Sequence, residues 1–327
     1  DYARKITAKT YIEVHAPAGD DPADLRRAYL ERVMARAGFL SLAGIDPKLA
    51  SSEADARLSL SAVYTALLTH TSDKSGQIKL LPERGEERLS ALDQLNRHPR
   101  LVLLGDPGSG KSTFVNFVAL CLAGEMLAHP QMNLTLLTEP LPKDDGKETD
   151  ERQPWDHPPL LPVPVVLRDF AARGLPPVGE KATAKHLYDF IVADLHSGAL
   201  AAYAKPLTRT LLHEGGLLLL DGLDEVPEAQ QRRVQIKQAV TDFAATFKRC
   251  RILVTSRTYA YQQQAWRLPG FTETVLAPFS RGQIGRFVER WYAHMVHVRG
   301  LAETDAQGRA ELLKRAIFNS DRLAGLA

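Results

Sequence analysis

A short glycine-rich segment that follows an apolar run constrains the fold of this chain more than any other feature. The apolar run is residues 101–104, and the segment at 105–113 reads Gly-Asp-Pro-Gly-Ser-Gly-Lys-Ser-Thr. This spacing, between a strand and a helix, lets the backbone curl around a phosphate and directs successive N–H groups at it. Residues 114–122 supply the apolar helical run that this setting requires. We therefore predict a P-loop, although a strand-to-helix turn without a ligand would use similar residues.

The predicted phosphate cradle uses the whole segment. Lys111 supplies the countercharge for the β- and γ-phosphates of a nucleoside triphosphate, and Ser112 supplies a hydroxyl for Mg²⁺. We expect ATP or ADP with Mg²⁺ as the cofactors, and the sequence leaves the choice between ATP and GTP open. The cradle consists of Gly105, Asp106, Pro107, Gly108, Ser109, Gly110, Lys111, Ser112 and Thr113.

Acidic residues follow a second apolar run, residues 217–220, and read Asp221-Gly-Leu-Asp-Glu225. The end of this strand places Asp221 at the carboxyl edge of a parallel sheet, beside the P-loop, where ligands bind in open α/β folds. We predict that Asp221 and Ser112 hold the metal, and that Glu225 orients the attacking water with Asp224 as its neighbour. The structural alternative is that these acidic residues cap the next helix.

A third apolar run, residues 252–254, ends in Thr255, Ser256 and Arg257. It delivers polar groups to the same edge of the sheet. Arg257 is predicted to reach the γ-phosphate and to report its presence, which adds it to Glu225 and Asp224 in the predicted catalytic set. A structural salt bridge is the alternative for Arg257.

The pattern from residue 100 onward alternates between short apolar runs and helical stretches. The runs lie at 101–104, 163–167, 217–220, 252–255 and 274–276, and the helical stretches near 112–124, 184–204 and 227–246. This alternation predicts an α/β P-loop NTPase fold with a parallel sheet covered by helices on both faces. Because proline cannot donate to a strand ladder, Pro162 and Pro164 predict a second strand that starts late or lies at an edge.

Three regions are predicted along the chain. Residues 1–97 form a mostly helical N-terminal region, 98–280 the nucleotide-binding domain, and 281–327 the truncated start of a helical domain. The charged, proline-rich residues 140–159 are expected to form an exposed insertion that Trp155 pins to the body. Because the chain opens at Asp1 without Met or a signal-like segment, we expect a fragment of a longer protein.

Composition excludes some classes of function. The 327 residues are 44% hydrophobic, and their net charge of +2 comes from 41 basic and 39 acidic residues. This balance does not indicate a nucleic-acid or membrane surface. No apolar stretch approaches the roughly 20 residues that span a bilayer. Two distant cysteines, Cys121 and Cys250, match no metal or redox spacing, so we expect small buried core residues and a cytoplasmic protein.

The three motifs together resemble the NACHT family of STAND NTPases, signal-transducing ATPases that include NOD-like receptors and bacterial defence proteins. Gly222 directly after Asp221, followed by Asp224 and Glu225, is similar to the family's variant of the Walker B motif. Residues 165–169 are similar to its second strand. Residues 276–280, followed by Phe287, Trp291 and Tyr292, are similar to its fifth strand and next helix. The resemblance extends over residues 98–300.

The resemblance implies a switch in which ADP holds a closed monomer and ATP supports an open oligomer, with slow Mg²⁺-dependent hydrolysis as a timer. The implied partners are the nucleotide, further copies of the NTPase domain and a trigger ligand that the sequence does not identify. A signalling role in innate immunity or antiviral defence is part of this expectation. In the family a winged-helix domain contributes a nucleotide-contacting His, but this chain stops at Ala327, before that domain.

Other functions remain as alternatives. An AAA-type remodelling ATPase also has strand-ending acidic pairs and a polar fourth strand. A kinase is disfavoured, because the acidic turn at 221–225 suits water activation better than transfer to a bound acceptor. His294 and His297, three residues apart on a predicted helix, would share a metal only with a further ligand, and exposed histidines are the simpler interpretation.

Overall fold

The computed structural model describes residues 21–41, 57–72, 78–79, 89–142, 151–227, 231–261 and 267–319. Helices and two short antiparallel ladders, β1 with β2 and β3 with β4, make up its first part. These elements are α1 (Pro22–Ala37), β1 (Phe39–Ser41), β2 (Arg57–Ser59), α2 (Leu60–Val63), β3 (Thr71–Ser72), β4 (Ile78–Lys79) and α3 (Ala91–Arg97).

Strands and helices alternate from residue 100 onward, as predicted. The elements are β5 (Arg100–Leu104), α4 (Lys111–Met126), α5 (Leu134–Leu137), β6 (Pro162–Val166), α6 (Leu167–Arg173), α7 (Ala184–Ser197), α8 (Ala204–His213), β7 (Leu217–Asp221), α9 (Arg232–Thr246), β8 (Arg251–Ser256), α10 (Thr258–Tyr261), β9 (Thr272–Val275), α11 (Arg281–Arg299) and α12 (Glu303–Phe318). Short 3₁₀ turns occupy Ala201–Tyr203 and Leu223–Glu225.

The centre of the molecule is a five-stranded sheet in the order β6-β7-β8-β5-β9. Every pairing within it is parallel. Residues 217–220 of β7 are all buried. Successive side chains of a strand point to opposite faces, so this continuous burial requires cover on both faces. The predicted α/β fold class is confirmed.

Strand β8 separates the P-loop strand β5 from β7 in this order. The carboxyl ends of β5, β8 and β7 therefore form one continuous edge, and residue 255 lies between residue 103 of β5 and the end of β7. The P-loop and the acidic turn do not follow adjacent strands. Polar groups at the end of β8 are thus interposed between them.

Strand β6 lies at one edge of the sheet, which confirms one of the two outcomes predicted from its prolines. It does not start late, because it begins at Pro162. Leu217 N donates to Leu161 O at 2.8 Å, so odd-numbered residues of β6 direct their backbone groups at β7. Pro162 and Pro164 consequently stand where their missing N–H groups would face away from the sheet.

Helix α1 packs against α4 and shares one hydrophobic core with the sheet. Asp21 caps the helix by accepting a hydrogen bond from Ala23 N at 2.8 Å. Leu25, Tyr29 and Val33, which recur at helical spacing, are buried. The Tyr29 hydroxyl donates to Pro162 O at 2.9 Å, so α1 also closes over the outer edge of β6.

The predicted helix at 184–204 is interrupted. Helix α7 ends at Ser197, Gly198 follows, and Ala199 adopts a left-handed φ of 57°. The helix therefore ends there, and the 3₁₀ turn at Ala201–Tyr203 leads into α8. Cys121 and Cys250 are buried and unpaired, as predicted, and burial raises the pKa of the Cys250 thiol to about 12.

Residues 143–150 of the predicted insertion lie outside the described residues. In the described remainder, Trp155 packs against the main core, as expected. Asn96 donates to Asp156 Oδ2 and accepts from Asp156 N, both at 2.8 Å. These contacts fix the C-terminal part of the segment to helix α3.

Helices α11 and α12 form a hairpin with a small core of their own, built on Ile284, Val288 and Ala310. On α12, Leu312 and Leu313 are exposed although they lie at helical apolar spacing. The buried residues of this helix are the small Ala306 and Ala310. Apolar spacing alone does not say which of two apolar stripes on a helix is covered.

Candidate nucleotide-binding site

The P-loop is shaped by glycines that allow left-handed backbone. Gly108 and Gly110 have φ values of +80° and +87°, in a region where side chains are strained. A Cβ atom at Gly105 would lie 2.5 Å from Ser109 Oγ, whereas one at Gly108 would meet nothing within 4 Å. The loop is therefore tightly folded on its inner side and open on the side of Gly108.

Helix α4 begins directly at the loop, with Gly110 as its N-cap. Its first backbone bond runs from Phe114 N to Gly110 O at 2.8 Å. The N–H groups of the three preceding residues, Lys111, Ser112 and Thr113, have no carbonyl within the helix to bind. These donors and the positive end of the helix dipole suit a phosphate group.

The Lys111 ammonium is held inside the loop. Its Nζ donates to Gly105 O at 2.7 Å, to Asp106 O at 2.8 Å and to Ser109 Oγ at 3.3 Å. Burial lowers the pKa of Lys111, while the carboxylates of Asp224 and Asp221 act to raise it. The lysine therefore lies within electrostatic range of the acidic turn that was predicted beside it.

Asp221 is fixed at the end of β7 by the neighbouring strand. The Thr255 hydroxyl donates to Asp221 Oδ1 at 2.5 Å and accepts from Gly222 N at 2.9 Å. Thr255 itself is fully buried. Sequence reasoning brought Thr255 to this edge but did not identify it as the partner of Asp221, because the pairing depends on the strand order.

Asp224 and Arg257 form an ion pair. Arg257 Nε lies 2.8 Å from Asp224 Oδ2, and the backbone N of Arg257 donates to Asp224 Oδ1 at 3.0 Å. The Asp224 side chain is 8% exposed, whereas that of Arg257 is 53% exposed. The salt bridge considered for Arg257 is thus present. Its predicted contact with a γ-phosphate stays a prediction.

Arg233 on α9 also anchors this turn by hydrogen bonds. The sequence did not suggest this contact. The Arg233 guanidinium donates to Asp224 O at 3.0 Å and to Val226 O at 2.7 Å. Both are backbone contacts, so they fix the path of the chain through the acidic turn. The next carboxylate, Glu225, lies within this anchored backbone.

Glu225 is the most accessible of the three acidic residues in the turn, since its side chain is 47% exposed. Its Oε2 lies 3.7 Å from Arg168 Nη1. Gly222 has a φ of +80°, and a Cβ there would approach Glu225 Cδ to 3.3 Å. Glycine at 222 therefore permits both the left-handed turn and the close packing of Glu225.

A segment from the N-terminal region also reaches the loop. Leu67 lies over Gly110, where its methyl groups would be 3.4 Å from a Cβ atom added to that glycine. Ala277 N donates to Leu68 O at 2.9 Å and His70 N donates to Val275 O at 2.8 Å, so residues 68–70 follow the outer side of β9. No pattern in the sequence indicated this long-range pairing.

The residues brought together fit a nucleotide with Mg²⁺. The start of α4 offers backbone N–H groups and Lys111 an ammonium, while Ser112, Thr113 and Asp221 carry the oxygen ligands that Mg²⁺ prefers. Mg²⁺ in such sites takes one or two carboxylates and completes its shell with phosphate oxygens and water. Within the described residues, no three His, Cys, Asp or Glu side chains cluster as a metal site. This holds also for the helix that carries His294 and His297.

Comparison with protein families finds the NACHT domain at residues 170–295. The match contains the acidic turn and strand β8, whereas the P-loop precedes it and is joined to it by the common sheet. No match was found among curated proteins. Among the described residues, no helix is both long and apolar enough to cross a membrane. Residues 170–295 thus match the NACHT domain, and the five-stranded parallel sheet that contains them is consistent with a P-loop NTPase fold.

Proposed function

We propose that this chain is the ATP-binding switch module of a STAND-type signalling or defence protein, and that slow Mg²⁺-dependent hydrolysis controls its self-association in the cytoplasm. One observation carries the proposal. The P-loop lysine, the Asp221 carboxylate and the Asp224–Arg257 pair meet at one edge of the sheet, around the N–H groups at the start of α4.

In the proposed bound state, the N–H groups at the start of α4 donate to phosphate oxygens and Lys111 exchanges the loop carbonyls for the β- and γ-phosphates. Ser112, with Thr113 beside it, and Asp221 hold Mg²⁺. The ion neutralises charge on the phosphates. Gly105, Asp106, Pro107, Gly108, Ser109 and Gly110 supply the backbone that encloses the phosphates.

In the proposed hydrolysis step, the Glu225 carboxylate accepts a proton from a water molecule as its oxygen bonds to the γ-phosphorus. The bond from that phosphorus to the bridging oxygen breaks, which leaves ADP and inorganic phosphate. Glu225 is suited to this role because its side chain is 47% exposed and so accessible to water.

Arg257 is proposed to distinguish ATP from ADP. Its side chain is half exposed and paired with Asp224, while its backbone N is anchored to the same carboxylate. The guanidinium is able to turn towards a γ-phosphate without release of the backbone. A ligand shifts a conformational equilibrium only through its different affinity for the two states, so this contact would couple the γ-phosphate to opening and self-association.

The test combines binding with assembly. We would measure ATP and ADP affinities by calorimetry with Mg²⁺, single-turnover hydrolysis, and the mass of the protein in each nucleotide by analytical ultracentrifugation. The proposal expects tight binding, slow release of phosphate and self-association with ATP alone. Rapid turnover in a ring that forms with either nucleotide would instead identify a remodelling ATPase. Absence of binding would refute both.

A further inference from the structure

Strand β8 connects the two motifs that flank it. Thr255 is aligned with Leu103 of β5, two residues before Gly105, and the next residue, Ser256, accepts a hydrogen bond from Gly105 N at 3.3 Å. On its other side, Thr255 reaches Asp221 at the end of β7. Thr255 of β8 thus lies between the P-loop strand and the acidic turn and is adjacent to both.

The Thr255 hydroxyl is bonded to the acidic turn through its donor and one of its two lone pairs. A hydroxyl has one hydrogen to donate, and here it goes to Asp221 Oδ1 at 2.5 Å, while the oxygen accepts from Gly222 N at 2.9 Å. The first bond fixes one oxygen of the carboxylate and thereby the direction of the other. The second bond stabilises the left-handed backbone of Gly222. Both bonds are made by a fully buried side chain, shielded from competition by water.

We propose that Thr255 is a positioning residue that orients the Asp221 carboxylate for Mg²⁺. The inference rests on the proposed function, because it concerns the same metal. A partner that orients a metal ligand sets the affinity for the ion, and loss of such a partner costs roughly 10- to 100-fold in metal affinity or activity. The hydrogen bonds of the Thr255 hydroxyl go to the acidic turn, so we expect phosphate binding without metal to be independent of this hydroxyl.

The sheet contains a matched control. Thr274 on β9 is aligned with the same residue, Leu103, from the opposite side, and it is also buried. Its hydroxyl has no hydrogen-bond partner among the described residues. Thr255→Val and Thr274→Val therefore make the same isosteric exchange in neighbouring buried positions, and only the first removes a bond to a carboxylate.

The experiment titrates Mg²⁺ against wild type and variants at fixed ATP, with thermal protection as the readout, and repeats ATP binding by calorimetry in EDTA. We expect Thr255→Val to raise the half-maximal Mg²⁺ concentration by roughly 10- to 100-fold and to leave ATP binding in EDTA unchanged. Thr255→Ser should restore most of the Mg²⁺ response, because it retains the hydroxyl. Thr274→Val should behave like wild type.

Several results would overturn the inference. They are an unchanged Mg²⁺ response in Thr255→Val, an equal shift in Thr274→Val, and an equal loss of ATP binding in EDTA, which would indicate general damage to the site. If Thr255→Val does not fold, Thr255→Cys replaces it, since a thiol is a weak donor of similar size, and the same criteria apply. A wild type that binds ATP without any response to Mg²⁺ would refute the metal site of the proposed function, and this inference with it.

Discussion

The carboxyl edge of the sheet holds its acidic groups in two different ways. Between β7 and β8, Asp221 and Asp224 are bound by Thr255 and Arg257 at 2.5 and 2.8 Å. Towards β6, Glu225 is accessible and faces Arg168 at 3.7 Å. The difference matches the proposed roles. A metal ligand and a sensor partner require fixed geometry, whereas a group that accepts a proton from water must be reached by it.

The proposed roles of both parts of this edge depend on a bound triphosphate, so the largest effect is expected from the P-loop lysine. Lys111→Ala removes the ammonium inside the cradle and should abolish most nucleotide binding and hydrolysis. Ligand at about 100 times its Kd adds roughly 2.7 kcal/mol to wild-type stability, and most of this should be lost. Differential scanning fluorimetry with and without ATP measures it.

Lys185→Ala is the control for charge, since Lys185 is an exposed residue of α7 paired with Asp189. Its ATP-dependent thermal shift should equal that of wild type. If Lys111→Ala also keeps the full ATP-dependent thermal shift, the lysine does not bind phosphate. The roles proposed for the two parts of the sheet edge, which assume a triphosphate at this loop, would then be refuted.

Glu225→Gln tests the accessible part of the edge. The amide can hold a water molecule but cannot accept its proton, so hydrolysis should fall by about 10²- to 10⁴-fold with ATP binding retained. Single-turnover release of phosphate measures the rate. Glu180→Gln, at an exposed carboxylate elsewhere, should be neutral. A wild-type rate in Glu225→Gln would transfer the role to Asp224 or to another group.

Arg257→Ala tests the part of the sheet edge between β7 and β8, where the acidic side chains are held in place. A charge-assisted contact with the γ-phosphate is worth about 1.5 to 3 kcal/mol, so the difference between ATP and ADP affinities should shrink by that amount while ADP binding is nearly unchanged. Calorimetry with both nucleotides gives the ratio. Arg309→Ala on the exposed side of α12 is the control. An unchanged ratio would make the pair with Asp224 purely structural.

Arg168→Ala should have the smallest effect. Exposed ion pairs contribute up to about 1 kcal/mol, which corresponds to less than about a fivefold change in the hydrolysis rate, and salt weakens them. Single-turnover rates at low and high ionic strength check this. A loss as large as that of Glu225→Gln, insensitive to salt, would show that Arg168 acts on the phosphates and that Glu225 is as firmly held as Asp221.

Local patterns were sufficient for much of this molecule. The glycine spacing at 105–113 and the acidic end of the run at 217–221 predicted the loop, the strand and the fold class, because each is encoded in consecutive residues. The partners of the site were not encoded in this way. Thr255, Arg168 and Leu67 reach it through strand order and long-range pairing, which depend on the whole packed core.

The two outer strands of the sheet also bear on how copies of this protein associate. The outward positions of β6 at 162 and 164 are prolines, and the outer side of β9 already exchanges backbone hydrogen bonds with residues 68–70. Growth of the sheet by addition of a strand from another molecule therefore lacks backbone donors at 162 and 164 on the first edge and meets Val275 O and Ala277 N already bonded on the second. An ATP-dependent oligomer of this protein is accordingly expected to use a surface other than these positions of the sheet edges.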